Sequence, residues 1–181
     1  MHCELLVPGL LRMREYPRAP SLELLLGRGR DSRGEMRTAE AWLQEGFQLD
    51  PLPAGALTAL ATGESGTGSW VRADPVHLRL LRDRAVIVPG EALGIAAEEA
   101  AALVASLNAH FAGRMALHAA TPAHWSARLE THFESETVPA LEVAGAAATP
   151  SRHGDALLTE IQRALHAHPV NAAREARGGA P

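Results

Sequence analysis

Apolar residues recur in this chain at two spacings, and segments of the two kinds alternate along its length. The firmest pattern is Ala100, Leu103, Leu107 and Phe111, which share one face of a helix over residues 96–111 that Gly113 stops. Ala39, Leu43 and Phe47 make a similar stripe behind Thr38, which is suited to cap it. Leu157, Ile161 and Leu165 mark a later helix that starts at Ser151 or Asp155 and ends before Pro169. Shorter helices are expected over residues 22–27, capped by Ser21, over 54–61, and over 172–176, where Asn171 would be the cap and Gly178 the stop.

Between these stripes lie short runs rich in β-branched and apolar residues. Leu5-Leu6-Val7 closing on Pro8-Gly9 reads as a strand and a turn. Residues 70–73, 85–88, 114–119, 125–129 and 137–143 read as further strands, with 85–88 apolar throughout. Residues 27–35, 63–68 and 145–150 carry glycine, charge or alanine without a period, and read as loops. The C-terminal residues 178–181 are ragged. Alternating helices and strands favour an α/β fold, a mixed sheet flanked by helices, over an all-helical bundle. At 181 residues the chain is one such domain, or the N-terminal portion of a longer one.

Composition narrows the chemistry. Only 4% of residues are aromatic against 46% hydrophobic overall, so alanine and leucine supply most of the core. Net charge is −4, and all 17 basic residues are arginines scattered among acids. No basic face emerges, which disfavours nucleic acid as a partner. Cys3 is the only cysteine, so no internal disulfide forms, as expected of a reducing compartment. Residues 1–11 lack the basic lead and long apolar run of a signal peptide or membrane span. The cytoplasm is the expected location, with no membrane partner.

Three places invite a chemical reading. Gly63-Glu64-Ser65-Gly66-Thr67-Gly68 has neither the spacing of a nucleophile elbow nor the Gly-Lys-Ser/Thr of a phosphate loop, and reads as a surface loop. In Ala73-Asp74-Pro75-Val76-His77 the proline holds Asp74 extended, so that its carboxylate and the His77 imidazole can converge. His166-Ala167-His168-Pro169-Val170-Asn171, with Arg174 and Arg177 beyond, is the richest polar cluster. Its two histidines are two residues apart and point to different sides of a helix, so they do not chelate one metal.

Taken together, certain segments resemble the bacterial RpfE-type regulatory protein family, often labelled phosphoglycerate mutase. They are Leu5-Leu6-Val7-Pro8-Gly9, Trp70-Val71-Arg72-Ala73-Asp74-Pro75-Val76-His77-Leu78, Leu107-Asn108-Ala109-His110-Phe111 and His168-Pro169-Val170-Asn171 with Arg174. That family is distantly similar to the cofactor-independent phosphoglycerate mutases of the alkaline phosphatase superfamily. The resemblance implies the N-terminal part of such a fold, incomplete in this chain. It also implies an unidentified small-molecule ligand, a phosphate ester in the first instance, contacted by Arg72, Asp74, His77, His168, Asn171 and Arg174.

The departures from those metalloenzymes matter as much. Where they place an aspartate after the first strand, this chain has Pro8-Gly9, and no nucleophilic serine or threonine is evident. Two divalent cations need carboxylates that are not in place, so no metal site and no cofactor are expected. The leading expectation is a regulatory or ligand-binding relative without catalysis of its own. One alternative is a metal-dependent phosphotransferase or mutase whose remaining ligands lie outside the chain. The other is a protein-interaction module.

Overall fold

The computed structural model describes residues 18–30, 39–83, 85–131 and 155–181. The expected strands at residues 5–7 and 137–143, and the loop at 145–150, lie outside them. The chain divides into two compact units, Met1–Leu52 and Pro53–Pro181.

The first unit carries α1 (Pro20–Arg28) and α2 (Ala39–Phe47). Pro20 occupies the first turn of α1, where its missing N–H costs nothing and its fixed φ suits a helix. Ser21 is therefore inside the helix, and Ala19 takes the capping position without a side-chain bond. Glu23 compensates in part by accepting the Ala19 N–H at 3.3 Å. Gly29 ends the helix by donating to the Leu25 carbonyl.

The second unit holds the core and the expected site residues. Its elements are α3 (Ala54–Ala61), β1 (Ser69–Arg72), β2 (Val76–Leu80), β3 (Ala85–Pro89), α4 (Gly90–Leu93), α5 (Ala97–His110), β4 (Met115–Thr121), β5 (His124–Leu129), α6 (Asp155–His166) and α7 (Pro169–Ala176). The fold is α/β, but among the described residues every strand pairing is antiparallel. One sheet runs β1-β5-β4 and a separate ribbon joins β2 to β3. The sequence pattern suggested a mixed sheet because helices and strands alternate. The short connections from β4 to β5 and from β2 to β3 instead close hairpins, which need no crossover helix.

Register explains the two faces of the main sheet. Met115 lies opposite Leu129, Leu117 opposite Ala127, and Val71 pairs with Ala127 from the other side. These residues, with Trp125, share one face and pack against Ala100, Leu103, Leu107 and Phe111 of α5. The α5 stripe read from sequence is thus the helix side of the core, and Phe111 is fully buried. Leu103, Leu107 and Phe111 each contribute about 1.5–3 kcal/mol by leaving water. Leu157, Ile161 and Leu165 of α6 pack at its margin, as their spacing indicated.

Strand parity sends Trp70, Arg72, Ser126, Arg128 and His118 to the opposite face. There α3 lies against β1, β4 and β5, and Ser126 is only 1% exposed. The approach is close because the buried residues of α3, Gly55 and Ala59, are small: a Cβ on Gly55 would fall within 2.6 Å of the Val71 Cα and N.

The β2–β3 ribbon is apolar on one face, where Val76, Leu78 and Leu80 stand opposite Pro89, Ile87 and Ala85. Gly90 then starts α4 at a crowded point, where a Cβ would lie 2.9 Å from the Pro75 carbonyl oxygen and 3.1 Å from that of Ala123. Three segments meet there: the β1–β2 link, the β4–β5 hairpin and the start of α4.

Candidate functional site

Around that junction the first expected motif assembles. Arg72 leaves the end of β1 exposed, and its Nε donates to Asp74 at 3.0 Å. Asp74 Oδ1 also accepts the Trp125 backbone N–H at 2.9 Å, which ties the β1–β2 link to β5. The side chain found beside this carboxylate is His124, at the start of β5. Its Nδ1 lies 2.9 Å from Arg72 Nη2 and 3.9 Å from Asp74 Oδ2. A guanidinium only donates, so Nδ1 accepts and the imidazole proton sits on Nε2. That nitrogen faces Glu91 Oε1 of α4 at 3.6 Å.

His77 is elsewhere. It stands on β2 opposite Val88 and makes no hydrogen bond or ion pair with a described residue. The proline did hold Asp74 extended, but the strand that begins at Val76 carries His77 along the ribbon. His124 escaped sequence reasoning because its partnership with Asp74 depends on β1–β5 register, a long-range fact that no local spacing encodes.

The second motif lies along the α6–α7 turn and α7, and only Arg174 reaches from it to the end of α4. His168 has extended backbone and caps α7, its Nδ1 accepting the Val170 N–H at 3.2 Å. Asn171 was expected to cap this helix, but Pro169 already begins it and Asn171 lies inside. Its Nδ2 donates to the Leu165 carbonyl at 2.8 Å and so joins α7 to the end of α6. Arg174, 6% exposed, reaches across to α4 and α5. Its Nη2 donates to Leu93 O at 2.6 Å, its Nε to Ala180 O at 2.9 Å, and its Nη1 to Glu99 Oε2 at 2.6 Å.

Glu99 is the hub of this second cluster. It stands in the first turn of α5 and accepts the Ala96 N–H at 3.0 Å, as well as Arg174 and Arg177. The Ala96 amide, then the two guanidinium groups, hold its carboxyl down to about 2 against the opposing pull of burial. Three such donors stabilise the ionised carboxylate and leave it little capacity to bind a further cation.

A third cluster joins α6 to the end of α5. Glu160 accepts both arms of Arg114, at 3.1 and 3.0 Å, and the His110 Nε2 at 3.0 Å. The Arg114 fork, then His110, lowers the Glu160 carboxyl, and Glu160 in turn raises the Arg114 guanidinium. The loop at residues 63–68 is tied down in a comparable way, by Glu64 to His118 at 3.1 Å and by the Trp70 indole N–H to the Gly66 carbonyl at 3.3 Å.

The six residues singled out in the sequence therefore fall into two groups and one outlier. Arg72 and Asp74 meet near the start of α4; His168, Asn171 and Arg174 share α7 and its cap but make separate contacts, of which only those of Arg174 reach α4; His77 joins neither. Among the described residues no three His, Cys, Asp or Glu side chains gather in a geometry for a metal ion, and no helix is long and apolar enough to cross a membrane. The fold and its clusters define a small antiparallel α/β module braced by arginine–carboxylate ties. Comparisons with protein-family models, with curated proteins and with solved structures find no match.

Proposed function

We propose that this chain is a regulatory, ligand-binding module of the RpfE type, acting in the cytoplasm and performing no chemistry on its own residues. One observation carries the reading: the Asp74 carboxylate of the first motif, and the Glu99 carboxylate that meets Arg174 of the second, already have cationic and amide partners. Asp74 is held by Arg72 and the Trp125 amide, and Glu99 by Ala96, Arg174 and Arg177. A general base needs a free lone pair within reach of substrate, and a metal ligand needs one aimed at the ion. Carboxylates engaged in this way brace a fold.

The test is direct. The purified chain, given 3-phosphoglycerate and manganese, is expected to produce no 2-phosphoglycerate above the buffer control. Turnover that a chelator abolishes would overturn the reading in favour of a metal-dependent mutase or phosphotransferase.

A further inference from the structure

We propose that the groove between α5, α6 and the α6–α7 turn binds the phosphate of a small phosphorylated ligand, with Arg163 and His168 as donors. This deepens the ligand-binding reading above and rests on it.

The groove encloses about 470 Å³, within the range of small-molecule sites. Its walls carry Ser106 and His110 from α5, Glu160 and Arg163 from α6, and His168 from the turn. The charges in these walls are unequal in what they have left to offer. Among the described residues of these walls Glu160 is the one acid, and it is answered by the Arg114 fork and by His110. Arg163 lines the groove, is exposed, and makes no hydrogen bond or ion pair with any described residue, which leaves its guanidinium available to a ligand.

His168 adds a directed donor. Because its Nδ1 accepts the Val170 N–H, the ring proton is fixed on Nε2 without any need for the imidazolium form. The Ser106 hydroxyl likewise has no partner among the described residues.

In the last turn of α6, whose negative pole opposes an anion, two carbonyls are engaged by local bonds. The Arg163 carbonyl accepts Ala167 N at 3.1 Å, and the Leu165 carbonyl accepts both His168 N at 3.1 Å and Asn171 Nδ2 at 2.8 Å. The first amides of α7 are themselves engaged with His168, so recognition falls to side chains.

A phosphate monoester suits this set better than a carboxylate. Two of its oxygens match the guanidinium fork and a third is left for the His168 N–H. In an open, hydrated groove two or three charge-assisted bonds give a dissociation constant of about 1 mM.

The experiment titrates the full chain with phenyl phosphate at low salt and pH 8, read by phosphorus NMR and by the His168 ring resonances. Saturable binding is expected, with a shift at His168. Arg163→Ala should weaken it at least tenfold and Arg163→Lys by less, while Arg128→Ala, on the far side of the sheet, should leave it unchanged. Arg163 is exposed, so its loss should not disturb folding, and circular dichroism verifies this. Absence of saturable binding overturns the groove. Binding that survives Arg163→Ala also overturns it, yet leaves a ligand-binding module standing. Manganese-dependent turnover strikes the module reading itself.

Discussion

Arg174 Nη1 lies 2.6 Å from Glu99 Oε2, and this pair fastens the last helix of the chain to the first turn of α5. Both side chains are shielded, at 6% and 16% exposure, so the pair is screened little by solvent. Breaking a buried pair from one side costs about 3–5 kcal/mol when the survivor is left alone. Arg174 would keep its carbonyl partners Leu93 and Ala180. Glu99→Gln is therefore expected to cost about 2 kcal/mol by urea denaturation. A double-mutant cycle with Arg174→Met should show coupling above ~1 kcal/mol. Additive single-mutant effects would show that the two residues stabilise the fold independently.

The same carboxyl sets an acid limit. Its folded value of about 2 lies below its ordinary 4.5, so the stability it contributes is fully present above about pH 4.5. That contribution falls away as pH drops from 4.5 towards 2, because the unfolded chain takes up the proton first. Urea midpoints of the wild type and Glu99→Gln should thus differ most at pH 6 and converge near pH 2.5. A constant difference across that window would locate the acid sensitivity elsewhere, with Glu160 the next group to examine because its carboxyl is also lowered.

Asp74 and His77, paired by proximity in the sequence, should behave as unrelated residues. Asp74→Ala leaves the Trp125 N–H without its acceptor and Arg72 without its carboxylate, a loss of about 2 kcal/mol. For a domain of this size that lowers Tm by roughly 5 °C. His77→Ala removes no hydrogen bond to a described residue, and about 0.5 kcal/mol or less is expected. Calorimetry of the two variants decides, and equal losses would mean that His77 takes part in the junction.

How far the sequence could be read follows from the range of each interaction. The α5 stripe was legible because Ala100, Leu103, Leu107 and Phe111 repeat at helical spacing, and those four side chains are the core's helix face. The helix over Ala54–Ala61 was legible from composition alone. The strand β2 was passed over although Val76, Leu78 and Leu80 alternate, because Asp74 and His77 were read there as a pair of polar side chains and not as parts of a β pattern. Asn171 was misplaced for a related reason: its residue type favours a cap, but Pro169 had already opened the helix. The His124 and Glu99 partnerships were invisible, since each depends on elements brought together by the sheet or by helix docking.

Gly55 offers a test of the α3–sheet contact that separates packing from helix propensity. Alanine is favoured over glycine in a helix by about 1 kcal/mol, so Gly→Ala is stabilising where space allows. Gly46, in α2, has nothing within 4 Å of its would-be Cβ and is exposed. Gly46→Ala should therefore raise stability by about 0.5–1 kcal/mol. At Gly55 the added methyl would meet the backbone of Val71, which has no rotamer by which to move aside. Shifting α3 outward would unseat Ala59 and uncover Ser126, both only 1% exposed. The overpacking cost, about 1–3 kcal/mol and here at its upper end, exceeds the propensity gain. Gly55→Ala should accordingly lower the thermal midpoint while Gly46→Ala raises it. A midpoint raised by Gly55→Ala would mean that α3 does not press on β1 at backbone distance.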